Sequence, residues 1–249
     1  MWGIVPAAGA GSRIQPLAFS KELLPVGSRL EGEAERPRAV SEYLVERMII
    51  GGADRICFVI APGKSDILEY YGNRPTSVHI SFTVQQKPAG LCDAVFQALP
   101  LIPPDDFVIV GLPDTIWFPE DALKMLGPDP LSFLLFPVNR PERFDAVLTD
   151  ESGRVREIRV KQSNHGSPWI WGAFKLSGET MRELYELWRE RRQQDEYIGT
   201  LVNAYLARGG TAVGVRAGEA YVDVGTLHGY REAIRLLSSR PVTSVGALA

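Results

Sequence analysis

Around residue 10 the chain combines a glycine-containing loop with two basic residues, an arrangement suited to phosphate binding. A short apolar run, Gly3-Ile4-Val5-Pro6, leads into Ala7-Ala8-Gly9-Ala10-Gly11-Ser12-Arg13, and Lys21 follows in Ser20-Lys21-Glu22-Leu23-Leu24-Pro25-Val26. Small residues after a strand let backbone N–H groups approach a ligand, and Arg13 and Lys21 add positive charge beside them. We therefore expect this segment to bind a triphosphate.

Two better known phosphate-binding motifs do not fit this loop. A Rossmann dinucleotide fingerprint needs a third glycine where this chain has Ile14, and an acidic residue after the next strand, where it has Pro62-Gly63. A P-loop needs Gly-Lys-Ser/Thr, which is also missing. A tight strand-to-helix turn without a ligand is the remaining alternative, although such a turn has no need of Lys21.

Two aspartates follow strand patterns and could reach the same ligand. Asp114 comes after the apolar run 106–112, and Asp223 lies at the end of a shorter run at 220–224. Ligands of open α/β sheets bind at the carboxyl ends of the strands. Taken separately, each aspartate is equally well explained as a turn former or helix cap. Beside a phosphate loop the pair suits Mg²⁺, which binds one or two carboxylates together with phosphate oxygens.

Length, composition and charge limit the class of protein. The chain has 249 residues, of which 45% are hydrophobic, enough for one α/β domain with a full core. A net charge of -3 gives no basic surface, so we do not expect a nucleic-acid partner. The absence of an eighteen-residue apolar run or a leader pattern argues against membrane contact and predicts a cytoplasmic protein. Cys57 and Cys92 lie in apolar patterns and are predicted to be core thiols.

Apolar runs and helical patterns alternate along the chain, the order typical of a sheet covered on both faces. The first half predicts strands at 3–6, 55–61, 78–84 and 106–112, and helices at 40–50, 65–71 and 91–99. The second half predicts strands at 131–138, 146–149, 155–160, 169–176, 211–216 and 220–224, and helices at 179–192, 195–208 and 228–237. We expect Ser177 to cap the first of these helices, and residues 150–153 to form a hairpin turn. The charged segment 28–37 reads as irregular, either a mobile loop near the nucleotide or a solvated insertion.

In their order and spacing, these motifs resemble those of the sugar-1-phosphate nucleotidylyltransferases, specifically the group that contains the glucose-1-phosphate thymidylyltransferases and uridylyltransferases. The matching features extend over nearly the whole chain: residues 9–13 and 20–26, Gln85, Gly90-Leu91, Asp114, Lys161, Gly172 and residues 222–226. The resemblance implies an α/β fold of the nucleotide-diphospho-sugar transferase type, with a Rossmann-like, mixed but mainly parallel sheet flanked by helices. It implies one domain, with a nucleotide-binding half at 1–125, a sugar-phosphate-binding half at 126–240 and a tail at 241–249. A homo-oligomer is also implied.

The same resemblance implies a Mg²⁺-dependent transfer of a nucleotidyl group from a nucleoside triphosphate, with dTTP or UTP favoured, to a sugar-1-phosphate. The products are the nucleoside diphosphate sugar and pyrophosphate. Catalytic roles are implied for Arg13, Lys21 and Asp114, and metal binding for Asp114 and Asp223. Nucleotide binding is implied for Ala8, Gly9, Ala10, Gly11, Ser12, Gln85 and Gly90. Acceptor binding is implied for Asp145, Lys161, Trp171 and Gly172.

Three motifs depart from the usual pattern of that family. Pro113-Asp114-Thr115 replaces Gly-Asp-Asn, Val160-Lys161-Gln162 replaces Glu-Lys-Pro, and Phe144-Asp145 replaces Tyr-Gly. Trp169 and Trp171 flank the strand that would line the sugar site, where they would either narrow the pocket or pack within the sheet. The acceptor could therefore be an unusual sugar phosphate or another phosphorylated alcohol.

Two alternatives follow from the same residues. The loop at 5–13 would fit the cytidylyltransferases that act on methylerythritol phosphate equally well, which gives a cytidylyltransferase for a non-sugar phosphorylated alcohol. The altered surroundings of Asp114 also allow a non-catalytic regulator that binds a sugar nucleotide. The chain retains the cationic and acidic residues of the motifs, which favours a catalytically active enzyme over a non-catalytic regulator.

Overall fold

The structure, a computed structural model, describes residues 1–72 and 77–240, so the predicted tail at 241–249 lies outside the described residues. The strands are β1 (Trp2–Pro6), β2 (Pro25–Glu31), β3 (Ala34–Ala39), β4 (Arg55–Ile60), β5 (His79–Val84), β6 (Phe107–Gly111), β7 (Thr115–Phe118), β8 (Leu131–Pro137), β9 (Asp145–Thr149), β10 (Val155–Val160), β11 (Trp169–Ser177), β12 (Val213–Val215) and β13 (Ala220–Asp223). The α-helices are α1 (Val40–Ile50), α2 (Ser65–Gly72), α3 (Gly90–Phe96), α4 (Gly178–Glu190), α5 (Ile198–Ala207) and α6 (Leu227–Ser238). Short 3₁₀ turns lie at Lys21–Leu23, Leu99–Leu101, Ala122–Met125 and Pro141–Arg143.

One large mixed sheet forms the centre of the described residues. Its strand order is β10-β9-β11-β6-β1-β4-β5, with β8 pairing to β11 and β12 pairing to β8. Strands β6, β1, β4 and β5 run parallel, whereas β11 is antiparallel to β6. Two smaller ribbons, β2 with β3 and β7 with β13, lie outside this sheet. The predicted α/β class, with helices flanking a mixed sheet whose central strands are parallel, is confirmed.

The central strands are apolar on both sides because both faces of the sheet are covered. Ile4 and Cys57 point into a core with helices α3, α4 and α5, and their neighbours Val5 and Phe58 point into a second core with α1 and α2. This alternation follows from the two-residue period of a strand. Both cysteines are buried free thiols, as the sequence predicts. None of the helices within residues 1–72 and 77–240 combines the length and the apolar character needed to cross a membrane.

Local signals in the second half behave as predicted. The Ser177 side chain accepts a hydrogen bond from the Thr180 N–H at 3.0 Å and so caps α4. Asp150 Oδ1 accepts from the backbone N–H groups of Ser152 and Arg154, each at 3.0 Å, which closes the turn between β9 and β10. Such local hydrogen bonds depend on neighbouring residues alone, which is why the sequence reveals them.

The prediction of an irregular segment at 28–37 is wrong. Strands β2 and β3 form a hairpin that contacts α1 and α6. Arg29 is buried and its Nη1 donates to both Glu42 carboxylate oxygens, at 2.7 and 2.6 Å. The hairpin is therefore built around a buried ion pair with α1, a partner that the charged sequence of the segment does not reveal.

Strand β7 was not predicted, and a buried arginine fixes it in place. Arg47, on α1, is fully buried and donates from Nε to the Trp117 carbonyl and from Nη1 to the Tyr43 carbonyl, both at 2.8 Å. Burial, with a smaller contribution from Arg38, lowers the pKa of Arg47 to about 10, so the guanidinium stays charged at neutral pH. These hydrogen bonds hold the ribbon of β7 and β13 against α1.

Candidate active site

A cleft of about 1700 Å³ opens at the carboxyl ends of β1 and β6. Typical small-molecule sites measure about 300–1000 Å³, so this cleft has room for two substrates. It is lined by most of the residues predicted to bind nucleotide, metal or acceptor: Ala8, Gly9, Arg13, Lys21, Gln85, Gly90, Asp114, Asp145, Lys161, Trp171 and Asp223. The predicted residues that do not line it are Ala10, Gly11, Ser12 and Gly172.

The glycine loop packs directly on Lys21. Gly11 has a φ of +68°, a left-handed conformation that favours glycine. A Cβ at this position would lie 2.8 Å from Lys21 Cδ, closer than real contacts allow. The loop can therefore approach the lysine stem only because residue 11 has no side chain.

Lys21 and Asp114 form an ion pair inside the cleft. Lys21 Nζ lies 2.5 Å from Asp114 Oδ2, and both side chains are largely buried. Burial opposes both charges, but the opposite charge outweighs it in each case. The pKa of Lys21 is raised, mainly by Asp114, and the pKa of Asp114 is lowered, mainly by Lys21. Both groups are charged at neutral pH.

Arg13 reaches the second aspartate. Its Nη1 lies 3.0 Å from Asp223 Oδ2, and Asp223 Oδ1 accepts from the Gly225 N–H at 2.8 Å. The two aspartates are neighbours across the ribbon, because Asp223 pairs with Thr115 and the Val224 N–H donates to the Asp114 carbonyl at 2.8 Å. The predicted cations and carboxylates thus meet in one place.

Gly225 keeps the space between the two carboxylates open. A Cβ there would lie 2.9 Å from Asp114 Oδ2 and 2.9 Å from Asp223 Oδ1, so it would fill the gap between them. The two oxygens are therefore less than twice that distance apart. Within the described residues, no group of three or more His, Cys, Asp or Glu side chains is arranged to hold a metal. The donor set, two carboxylate groups facing a cleft, fits a small hard cation that takes its other ligands from phosphate and water.

Two residues that the sequence analysis missed hold the Lys21 segment. Lys64 Nζ lies 2.8 Å from both Glu22 carboxylate oxygens and donates to the Ala7 carbonyl at 2.6 Å. Asp66 accepts from the Ser20 N–H at 2.6 Å and from its hydroxyl at 2.7 Å. Both follow β4, the parallel neighbour of β1, so the rule that sites form at strand ends could have identified them.

Gln85 lines the cleft with its amide orientation fixed. Its Nε2 donates to the Gly90 carbonyl at 3.1 Å and to the Asp93 carboxylate at 2.7 Å. Both partners are acceptors only, so the nitrogen must face them and the oxygen is the end left to accept a hydrogen bond. Gly90 itself has a φ of +87°, and a Cβ there would lie 2.6 Å from the Glu196 backbone.

The predicted acceptor residues lie at the other end of the cleft, with one exception. Trp171 Nε1 donates to Asp145 Oδ2 at 3.4 Å, and Lys161 Nζ lies 4.4 Å from the centre of the Tyr197 ring. Gly172 sits instead at an irregularity between β11 and β8, where a Cβ would lie 2.5 Å from the Phe136 ring. A second tryptophan, Trp169, does not line the cleft but packs under the Arg216 guanidinium.

Tyr221 is a further residue of the cleft that was not predicted. Burial raises the pKa of its phenol well above the usual value, and Asp223, Asp114 and Asp145 act in the same direction. The phenol is therefore neutral at neutral pH and is a polar group of the cleft wall near these aspartates. Its place two residues before Asp223 is the signal that could have identified it, since alternate residues of a strand share a face.

Comparison with known proteins identifies the family. A model of the nucleotidyl transferase family matches residues 2–240. The chain belongs to this family. The nucleotidyltransferase resembles curated relatives over most of its length: it is 28% identical to a glucose-1-phosphate thymidylyltransferase of Neisseria meningitidis, covering 94% of this chain and 81% of that protein. The resemblance predicted from the motifs is confirmed.

Solved structures agree on the fold of this nucleotidyltransferase. The chain matches a Bacillus anthracis structure assigned as a glucose-1-phosphate thymidylyltransferase with a TM-score of 0.80 and 22% identity, covering 96% of both chains. The UTP-bound UGPase of Acinetobacter baumannii matches with a TM-score of 0.76 and 20% identity, covering 96% of this chain and 94% of that one. The large mixed sheet with its flanking helices is therefore a shared architecture.

Proposed function

We propose that this nucleotidyltransferase joins a nucleoside triphosphate to a sugar-1-phosphate, giving a nucleoside diphosphate sugar and pyrophosphate. An oxygen of the acceptor phosphate attacks the α-phosphorus, and the bond between the α-phosphorus and its bridging oxygen to the β-phosphorus breaks. Pyrophosphate leaves with the electron pair of that bond. The observation on which the proposal depends is the meeting of Lys21, Asp114, Arg13 and Asp223 beside the glycine loop.

The reaction requires that the two substrates be positioned and their charges neutralised, and it needs no covalent enzyme intermediate. Two anionic reactants repel each other, so preorganised cations supply most of the rate enhancement in phosphoryl and nucleotidyl transfer. Arg13 and the loop amides would hold the triphosphate, and Lys21 would neutralise charge at the α-phosphate. Lys161 would hold the acceptor phosphate. The buried thiols of Cys57 and Cys92 are not needed as nucleophiles.

Asp114 and Asp223 would hold Mg²⁺, whose charge neutralises phosphate oxygens in the transition state. The gap that Gly225 keeps open supports this assignment, because any larger residue would press on both carboxylates. Lys21 and Arg13 would then turn from the aspartates to the phosphates.

The orientation of Gln85 favours a uracil or thymine base over cytosine. Its amide nitrogen is used by Gly90 and Asp93, so the oxygen remains to accept a hydrogen bond. Uracil and thymine carry an N–H at ring position 3, whereas neutral cytosine has an acceptor there. We therefore favour UTP or dTTP, with the Gln85 oxygen accepting from ring position 3; cytosine could use this oxygen only through its 4-amino group.

The test measures pyrophosphate release with Mg²⁺, each of the common nucleoside triphosphates and a set of sugar-1-phosphates. We expect release that depends on the acceptor and is fastest with UTP or dTTP, together with a nucleoside diphosphate sugar identified by mass spectrometry. Nucleotide binding without release across all acceptors would support the regulatory alternative. Fastest release with CTP would contradict the assignment of Gln85.

A further inference from the structure

Asp145 is a carboxylate of the cleft that the protein leaves without a full set of partners. It begins β9, where the family's usual motif has glycine, and its side chain lines the cleft. Trp171 donates to Oδ2 at 3.4 Å, a long hydrogen bond. Among the described residues, no ion pair reaches Asp145 and no side chain donates to Oδ1.

This environment is costly for an ionised carboxylate. A charge removed from water needs a nearby opposite charge or several hydrogen bonds to compensate it. Burial raises the pKa of Asp145, and the opposing effects of Trp171 and the more distant Lys161 do not outweigh it. Under-compensated acidic groups in a cleft are typical of places where a ligand completes the set of partners.

The neighbours of Asp145 show what kind of ligand fits. The strand pairing sets Asp145 opposite Val160, so Lys161 follows directly after its cross-strand partner. An anionic and a cationic side chain thus both line the acceptor end of the cleft without forming an ion pair with each other. Aromatic rings of Trp171, Phe144 and Tyr221 complete the wall, with Phe144 and Tyr221 packed edge to face at 5.7 Å. Aromatic faces beside a carboxylate favour a cationic group on a carbon framework.

We propose that the acceptor carries a protonated amine in addition to its phosphate, and that this amine donates to Asp145 while Lys161 holds the phosphate. The inference rests on the proposed nucleotidyl transfer and names its acceptor class. The ammonium could belong to an amino sugar phosphate or to a phosphorylated amino alcohol. Both present a positive and a negative end to the two neighbouring side chains.

The experiment compares matched acceptors that differ only in the amine. Pyrophosphate release with UTP or dTTP is measured for glucosamine-1-phosphate against glucose-1-phosphate, and for ethanolamine phosphate against ethylene glycol phosphate. Calorimetric titration of the same four compounds measures binding without turnover. We expect one amino compound to exceed its hydroxyl counterpart by about tenfold to a hundredfold, the range for a hydrogen bond to a charged group. The pair that shows the larger preference identifies whether the amine belongs to an amino sugar phosphate or to a phosphorylated amino alcohol.

Variants connect that preference to Asp145. Asp145→Asn keeps the shape and removes the charge, so the ratio of activity with the amino acceptor to activity with its hydroxyl counterpart should fall by about tenfold or more, to near one. Glu151→Gln, at the exposed turn of the same hairpin, is the matched control and should keep the preference. Thermal unfolding checks that each variant folds.

The outcomes separate this inference from the proposed function. Absence of pyrophosphate release with every acceptor would reject nucleotidyl transfer, and the titrations would still decide the amine preference. Equal binding and turnover of amino and hydroxyl compounds would overturn the role of Asp145. So would an Asp145→Asn variant that weakens both classes alike.

Discussion

The ammonium of Lys64 lies 2.8 Å from both carboxylate oxygens of Glu22, the residue next to Lys21. Glu22 is almost fully buried, and burial raises its pKa and lowers that of Lys64 even though the two are paired. Because solvent does not stabilise these two buried charges, each relies on its short contact with the other. It sets the position of the segment that presents Lys21 to the cleft.

Removing Lys64 should destabilise the protein. Lys64→Met leaves the buried Glu22 carboxylate without its partner, which typically costs about 3–5 kcal/mol. Urea denaturation of the variant and the wild type measures the difference in unfolding free energy. The double variant Glu22→Gln/Lys64→Met removes both charges and should recover most of that loss. If the single variant unfolds at the same urea concentration as the wild type, the pair does not position this segment.

Asp114→Asn should abolish most of the activity while the fold remains. The variant loses one proposed metal ligand and the partner of Lys21, and we expect kcat to fall by about a hundredfold or more. Steady-state pyrophosphate release measures the effect, and circular dichroism checks the fold. Asp121→Asn changes an exposed aspartate that follows β7, the strand that Asp114 precedes, and serves as the control. Near-normal turnover of Asp114→Asn would refute the assigned role.

Gly225→Ala tests the gap between the carboxylates. The added methyl group would press on Asp114 and Asp223, so we expect kcat to fall at least about tenfold and the Mg²⁺ concentration for half-maximal activity to rise. Gly72→Ala is the matched control, because a Cβ there meets nothing within 4 Å. Titration of activity with Mg²⁺ distinguishes the two variants. An unchanged Mg²⁺ requirement in Gly225→Ala would place the metal elsewhere.

The pKa shifts of the pair predict how stability depends on pH. The folded-state pKa of Asp114 lies below its ordinary value, so its contribution is present above about pH 4 and is lost as the pH falls further. The pKa of Lys21 lies above its ordinary value of about 10.4, so its contribution is present below that pH and is lost at higher pH. The difference in unfolding free energy between the wild type and Lys21→Met/Asp114→Asn should therefore be flat between these limits. Urea denaturation of both proteins at a series of pH values measures this difference. A steady change of the difference around pH 7 would contradict the prediction.

The sequence predicts best where a feature depends on local pattern. The parallel strands read as continuous apolar runs because both faces are buried, and Ser177 acts through a hydrogen bond three residues away. The prediction that Asp114 and Asp223 lie at one site follows from the convergence of strand ends in this class of fold, and both line the cleft.

Other features depend on partners that are distant in sequence. Arg29 looks like a solvated charge until α1 brings Glu42 to it, and β7 is too short and too evenly buried to show a strand period. Lys64 just before α2 and Asp66 in its first turn follow a strand end, which marks the region, but the sequence does not reveal that their partners are Glu22 and Ser20. Such pairings appear only once the chain is folded.

The cations and carboxylates of the site form two ion pairs, and this affects how ligands can bind. Lys21 can leave Asp114 only if another anion receives it, since a released ammonium in this largely buried position would be left uncompensated, whereas the more exposed Arg13 can leave Asp223 at lower cost. In the proposed reaction a triphosphate would supply that anion and Asp114 and Asp223 would hold the divalent ion, so we expect the nucleotide and the ion to bind together. Binding of either one alone is expected to be weak, and the presence of each should tighten the other.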